Sequence, residues 1–502
     1  MAKYGPGRGL LPGILRAFWR HLPTSIEISQ LQSKALRQLF LLLRQLERGC
    51  GQWPSSMPWW QAAGPTVRGR PLAPPGRWNR RLGAANATPH KDREEDKVMN
   101  IGIRARLSLM MFLQYFVWGA WWVPFGTYLM HAGLGSWIGT MFSAQGLAAI
   151  LSPLFVGVIA DRYFSAQKVV AVLHLAGGAA LLALSYAGAE PGLVFALTLG
   201  ALLAYMPTLP LTNAIAFAAM TDTERQFPAV RVLGTIGWII AGLLVGWLGA
   251  EQSALPLRIA AGVSALYAAY AFTLPATPPA APAGASIGVA GLLGLDAVRG
   301  GDRSFWTLIV CSLLLMVPLS FYYAYANPFL VAVGVTAAAG VQTIGQVSEV
   351  GFLLLLPLFL RWFGMKTVLM IGMLAWTARY CLFAFGFDTS GPNMPMLLIA
   401  LALHGVCFDF FLVAGQIWVD KRFPAETRGR AQSFLALVTW GIGSIIGSLL
   451  ANAVYVAHGS ASADAPAVDW HGFWLVPSAL AAVVAIAFAF SFRDRAASRA
   501  DV

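Results

Sequence analysis

Twelve apolar runs of about 20 residues follow one another along most of the chain. A helix of that length crosses the hydrocarbon core of a bilayer with all its backbone N–H and C=O groups bonded internally. The sequence therefore predicts an all-α membrane protein with twelve transmembrane helices. The runs cover 106–130, 137–160, 167–188, 192–219, 228–249, 256–275, 304–332, 340–361, 366–386, 394–418, 430–456 and 471–492.

Composition excludes a soluble enzyme and a disordered chain. Charged residues make up 11% of the chain, whereas soluble domains average about 25%. The net charge is +13, but residues 1–98 alone contain 16 basic and 6 acidic residues. The apolar body is therefore nearly neutral, and we expect no nucleic-acid partner.

Residues 1–98 form a basic extension whose nature the sequence leaves open. An Arg-rich targeting peptide, a basic anchor on anionic lipid, and a disordered or artefactual segment upstream of a true start at Met99 are the three interpretations. The third is favoured because Met99 immediately precedes the first basic flank, and no function is assigned to this segment.

Basic residues give the predicted topology, because Lys and Arg concentrate in cytoplasmic loops. In a twelve-helix arrangement they fall almost entirely on one side, so both termini are expected in the cytoplasm of a bacterial inner membrane. The predicted parts are an N-terminal bundle over 99–275, a linker over 276–303, a C-terminal bundle over 304–493 and a tail over 494–502.

The two bundles are expected to be related by an internal repeat. Pro124-Phe125 recurs 204 residues later as Pro328-Phe329, and Pro153-Leu154-Phe155 recurs at the same offset as Pro357-Leu358-Phe359. Two six-helix pseudo-repeats are the architecture of the major facilitator fold, whose substrate site lies between the halves. Asp161 and Arg162 resemble a shortened form of that superfamily's gating loop, although a charged helix end explains them equally.

Five ionisable residues lie inside the predicted spans, where a charge is expensive and each is a functional candidate. They are Arg231, Glu349, Arg379, His404 and Asp409, and the helical period places all of them except Arg379 in three of five polar and aromatic stripes. Several structural alternatives stay open: an Arg379–Asp409 salt bridge, an Arg231–Glu349 pair that holds a closed state, and a His404 bonded to a backbone carbonyl. The stripes are Arg231, Thr235 and Trp238; Gln346 and Glu349; His404 and Phe408 beside Asp409; Gln114, Trp118, Trp121 and Phe125; and Ser320, Tyr323 and Asn327.

Such stripes predict a cavity that is aromatic on most sides and polar at a few points. It suits a neutral, flat, hydroxylated ligand, because aromatic faces stack on planar rings and amides bond the edge of a base. The sequence has no metal-ligand cluster, nucleophile–base pair or phosphate-binding loop. We therefore expect a transporter without a resident cofactor or metal, not an enzyme.

At these residues the chain resembles the nucleoside:proton symporters of the major facilitator superfamily. The similarity extends over about 104–492 and implies proton-coupled nucleoside uptake by a monomer; a carrier of another small polar solute, such as a sugar or a drug, is the alternative. The motifs are Phe112-Leu113-Gln114 with Trp118-Gly119 and Trp121; Ala204 to Leu209 with Asn213; Phe227-Pro228 with Arg231 and Gly234 to Gly237; Leu293 to Ala297; Gln346 with Ser348-Glu349; and Phe408 to Phe411.

The resemblance also implies which residues bind substrate, and the depth of the acids in the spans indicates which carry the proton. Three positions depart from the family pattern: Ser320 replaces a Gln, Tyr323 an Asn and His404 a Tyr, which leaves base preference open. Asp409 or Glu349 is expected to carry the coupling proton, because these are the two acids placed deep in the spans. The implied substrate-binding residues are Arg231, Thr235, Trp238, Gln346, Glu349 and Phe408, with Ser320, Tyr323 and His404 at the three departing positions.

Overall fold

The computed structural model describes residues 100–155, 164–278, 288–295, 298, 301–459 and 468–494. Almost all of them are helical, and eight helices are long and apolar enough to cross a membrane. The all-α membrane class predicted from the sequence is therefore confirmed. The extension over 1–98 and the proposed gating residues Asp161 and Arg162 lie outside the described residues.

The first half of the described chain breaks its apolar runs at prolines. Proline lacks an N–H donor and so ends or redirects a helix; Pro124 and Pro207 stand at the two breaks. The elements are α1 (Ile101–Trp122), α2 (Phe125–His131), a 3-10 turn (Gly135–Trp137), α3 (Ile138–Phe155), α4 (Ala166–Leu184), α5 (Pro191–Tyr205), α6 (Thr208–Ala218), α7 (Thr223–Trp247) and α8 (Leu255–Ala271).

The second half contains one very long helix and two π-helical segments. The long helix, α11, joins two of the predicted spans and is interrupted at Gly364, whose φ of 73° is one that glycine adopts without strain. The elements are α9 (Val289–Leu292), α10 (Arg303–Ala332), α11 (Ala338–Phe385), β1 (Phe387–Asp388) antiparallel to β2 (Gly391–Pro392), α12 (Met394–Cys407), a π segment (Phe408–Val413), α13 (Ala414–Arg422), α14 (Ala425–Ala436), a second π segment (Leu437–Gly443), α15 (Ser444–His458) and α16 (Trp470–Ser491).

The two halves pack tightly at one end of the helices, which we call the closed end. It includes the junctions α2–α10, α3–α15 and α7–α11. Glycines make these approaches possible: a Cβ on Gly139 would overlap the Ser448 carbonyl oxygen, and one on Gly246 would lie 2.8 Å from the Gly340 nitrogen. The closed end is therefore a close-packed contact between the halves.

Two helix starts at the closed end are capped by side chains from the other half. A carboxylate or amide oxygen at a helix start satisfies N–H groups that have no partner in the helix. Glu251, which follows α7, accepts a hydrogen bond from the Ala339 N–H at 3.1 Å. Asn452 of α15 accepts one from the Gly139 N–H at 2.9 Å. The two caps are reciprocal, since each half caps a helix of the other.

A chain of hydrogen bonds ties four helices of the first half together. His174 lies between Ser264 and Gln114, 3.0 Å from each, and Gln114 donates to Thr208 at 2.7 Å. All four side chains are buried. His174 is thus a structural residue, and Gln114 belongs to this network rather than to the predicted cavity.

Candidate functional site

A small central cavity lies where α1 and α7 of the first half meet α10 and α11 of the second. Its volume is about 20 Å³, room for about one water, whereas small-molecule sites usually measure about 300–1,000 Å³. Side chains must therefore move apart before a larger ligand can enter. The lining residues are Trp122, Val123, Trp238, Gly242, Tyr322, Tyr323, Ala339, Gln342, Thr343 and Gln346.

Three of the predicted site residues line this cavity: Trp238, Tyr323 and Gln346. Sequence reasoning missed Gln342, which also lines it and accepts a hydrogen bond from Asn327 at 2.7 Å. The missed signal was the helical period, because Gln342 lies one turn before Gln346 on the face that continues to Glu349.

Arg231 and Thr235 lie on successive turns of α7. The Arg231 guanidinium stands 4.1 Å above the ring of Tyr115, a cation–π contact that fixes the side chain within the first half. It also interacts electrostatically with Glu349 of α11. An Arg231–Glu349 salt bridge that holds a closed state stays a prediction.

Glu349 is the start of a buried polar cluster in the second half. Its carboxylate lies 3.9 Å from His404 Nε2, and its side chain is 32% exposed, whereas His404 is 2% exposed. The other imidazole nitrogen, Nδ1, lies 3.0 Å from Nη1 of Arg379. His404 thus bonds a side chain, and not the backbone carbonyl that the sequence analysis held open.

Asp409 is buried on the first π segment, one residue after Phe408. Neither of its carboxylate oxygens has a hydrogen-bond partner among the described residues. The Arg379–Asp409 salt bridge considered from the sequence is not formed among the described residues, and Arg379 donates to His404. A π segment inside an α-helix is a frequent feature of functional sites, and here it carries the acid.

The remaining predicted residues lie at different distances from the cavity. Phe408 packs between His404 and Trp440, with ring centroids 5.8 and 6.3 Å away. Ser320 turns away: its hydroxyl donates to the Met316 carbonyl at 2.8 Å, and the side chain lies against Gly447. The structure therefore does not bring Ser320 to the cavity in this conformation.

Comparison with known proteins identifies the kind of molecule that carries this cavity. The family profile described as nucleoside H+ symporter matches residues 99–497. The chain belongs to the nucleoside H+ symporter family.

Individual relatives agree with the family assignment. The putative nucleoside transporter YegT of Escherichia coli is 40% identical over 401 residues, which cover 78% of this chain and 94% of YegT. Xanthosine permease of the same organism is 34% identical over 412 residues, 78% of this chain and 96% of the permease. A crystal structure of the nucleoside transporter NupG is similar with a TM-score of 0.71 at 31% identity, over 79% of this chain and 100% of that one.

Membership of the nucleoside H+ symporter family confirms the resemblance drawn from the sequence. The relatives are transporters, not enzymes. The matched range contains every predicted site residue, whereas residues 1–98 precede it.

Proposed function

We propose that this member of the nucleoside H+ symporter family takes up nucleosides with protons across the bacterial cytoplasmic membrane by alternating access. The observation that carries the proposal is that Trp238 of one half and Tyr323 and Gln346 of the other line one aromatic cavity, while Arg231 and Glu349 of the two halves interact electrostatically. We also propose that the chain crosses the membrane twelve times in two six-helix bundles, with both termini in the cytoplasm. A site shared by two halves is what a rocking carrier requires.

The reciprocal caps support a repeat between the halves. Glu251 follows α7 and caps α11, whereas Asn452 lies in α15 and caps α3. The two donors, Gly139 and Ala339, are about 200 residues apart in the chain, and so are the two acceptors, Glu251 and Asn452. This separation is close to the offset of the Pro-Phe repeats. Corresponding positions of the two halves therefore form the contacts that close this end. A carrier that alternates between two states requires such a closing contact.

A coupled proton supplies the energy that a neutral nucleoside cannot gain from the membrane potential. One charge moved through 100 mV yields about 2.3 kcal/mol, enough for roughly fifty-fold accumulation. Glu349 and Asp409 are the candidate carriers. Glu349 touches both the interface between the halves and the buried cluster, whereas Asp409 lies deeper.

In this proposal Arg231, Thr235 and Gln346 bond the sugar and base, and the rings of Trp238, Tyr323 and Phe408 stack on them. Substrate and proton together replace the Arg231–Glu349 interaction and release the contact between the halves. The ligand is expected to separate side chains that now fill the cavity.

Uptake by cells that express the full chain tests the proposal directly. Labelled uridine and adenosine should accumulate above the external concentration, and a protonophore should abolish that accumulation. Excess unlabelled nucleosides should compete, whereas sugars should not. Competition by sugars alone would support the alternative solute class instead.

The amide of Gln346 gives a prediction about substrate affinity. Gln346→Ala should raise the KM for nucleoside about tenfold, because the loss of one or two hydrogen bonds in a closed site costs about 1–2 kcal/mol. Initial-rate uptake over a range of concentrations measures it. Gln252→Ala, at an exposed position outside the cavity, is the matched control and should leave KM unchanged.

Loss of the caps at the closed end should favour its opening. Each cap is worth about 0.5–2 kcal/mol, so Glu251→Ala or Asn452→Ala should speed labelling at that end several-fold, and the double variant should speed it further. The variants are made in a chain without its native cysteines that carries one new cysteine, Ser448→Cys. The measured quantity is the rate at which a membrane-impermeant maleimide modifies that cysteine.

Asp469→Ala provides the control for the caps. Asp469 caps α16, accepting from the Gly472 N–H at 3.0 Å, so its cap lies within one half. It should leave the labelling rate unchanged. Equal acceleration by all three variants would mean that the caps between the halves have no special role in closure.

A further inference from the structure

We propose that Arg379 is a positioning residue for the symport site: it fixes the tautomer of His404, so that a neutral Nε2–H group faces Glu349. The inference rests on the proposed function, because Glu349 is there a substrate and proton site. Arg379 is completely buried and acts through His404.

The direction of one hydrogen bond determines the tautomer. Arginine has only donors, so Nη1 of Arg379 donates and His404 Nδ1 accepts across their 3.0 Å contact. A neutral imidazole whose Nδ1 accepts must bear its proton on Nε2. That nitrogen lies 3.9 Å from Oε2 of Glu349. His404 therefore turns a donor, and not a lone pair, toward the carboxylate.

Aromatic packing holds the guanidinium in place. Arg379 lies 3.7 Å above the ring of Tyr322, and the same ring stacks on His404 with centroids 5.1 Å apart. Stacking and the hydrogen bond thus fix the two side chains against a common partner. Tyr322 also lines the cavity, so the cluster is continuous with the site.

The backbones under His404 and Glu349 are locked together as well. The Gly405 N–H donates to the Ser348 hydroxyl at 3.0 Å, and a Cβ on Gly405 would lie 2.6 Å from the Glu349 nitrogen. A Cβ on Gly345 would lie 3.3 Å from that of His404. The separation of His404 and Glu349 is therefore set by tight helix packing, and the orientation of the imidazole by Arg379.

This arrangement explains how a histidine works at this position. The family pattern has a tyrosine here, whose hydroxyl donates a hydrogen bond by itself. An imidazole donates from a defined nitrogen only when its other nitrogen already accepts a hydrogen bond. Arg379 occupies it. Glu349, which is 32% exposed, can then turn between the donor of His404 and the central cavity.

A spectroscopic measurement tests the tautomer without any transport. Full-length protein labelled with ¹⁵N-histidine is studied by NMR, and His404→Phe identifies the His404 signals by their loss. The unmodified protein should show His404 as the Nε2–H tautomer, and Arg379→Met should convert it to a mixture of tautomers. An unchanged His404 spectrum in Arg379→Met would overturn the proposal.

Uptake kinetics provide the second readout. Arg379→Met should lower kcat/KM about tenfold or more, the loss expected for one charge-assisted hydrogen bond, and Arg379→Gln, whose amide still donates, should lower it less. In a His404→Phe background Arg379→Met should have no further effect. An equal fall in both backgrounds would show that Arg379 only stabilises the fold.

Two comparisons keep the outcomes separate. Arg361→Met removes an exposed arginine from the same helix and should leave kcat/KM and the His404 spectrum unchanged. If the unmodified protein moves no nucleoside, the proposed function fails, but the NMR result still decides whether Arg379 sets the tautomer. If uptake is normal and the tautomer does not depend on Arg379, only the present inference fails.

Discussion

Glu349→Gln is expected to abolish uphill uptake while preserving exchange of labelled for unlabelled nucleoside. Glutamine resembles the protonated acid in shape but cannot release a proton, so the site still cycles with substrate bound. Accumulation should fall from roughly fifty-fold at 100 mV to about one-fold. Uptake driven by an imposed pH gradient, and counterflow in proteoliposomes without one, measure the two activities.

Two further carboxylates serve as comparisons for Glu349. Glu190→Gln changes an exposed acid outside the site and should leave both activities intact. Asp409→Asn tests the other buried acid. If Asp409→Asn alone separated exchange from accumulation, the proton would be assigned to Asp409. Full accumulation in both Glu349→Gln and Asp409→Asn would contradict the mechanism.

Gly405→Ala is expected to be a strongly damaging single-methyl change in the second half. The added Cβ would lie 2.5 Å from the Ser348 carbonyl carbon and 2.6 Å from the Glu349 nitrogen, so α11 and α12 must separate. Overpacking of this kind costs about 1–3 kcal/mol. Because the same contact sets the distance between His404 and Glu349, nucleoside uptake should fall more than tenfold.

Gly351→Ala is the matched control for that change. Gly351 lies two residues after Glu349 on α11, and a Cβ there would have no neighbour within 4 Å. Alanine also has the better helix propensity, so thermal stability should stay equal or rise slightly. Thermal unfolding in detergent and initial uptake rates compare the two variants. Similar losses in both would mean that the α11–α12 contact is not what matters.

Much of the fold was predictable because the bilayer imposes strong local rules. Apolar length and buried charge are properties of short segments, and they gave the all-α membrane class and the candidates Arg231, Gln346 and Glu349. The predicted runs 106–130 and 192–219 passed over the breaks at Pro124 and Pro207, although the missing N–H of a proline is also a local signal.

Partners of buried polar groups were less predictable, because they depend on which helices touch. Arg379 and Asp409 have opposite charges on neighbouring helices, which made a salt bridge reasonable. The packing brings Arg379 to His404 instead. Ser320 shares a helical stripe with Tyr323, yet it bonds its own helix and lies against Gly447.

The sequence by itself determined the membrane class and the short list of polar side chains, because insertion into lipid selects segments for hydropathy one helix at a time. Only the tertiary structure decided the reciprocal caps of Glu251 and Asn452 and the Arg379–His404–Glu349 arrangement. Those contacts join residues far apart in the chain, and no helical period encodes how two helices are rotated against each other. Close glycine contacts set that rotation, and it becomes visible when the helices are packed.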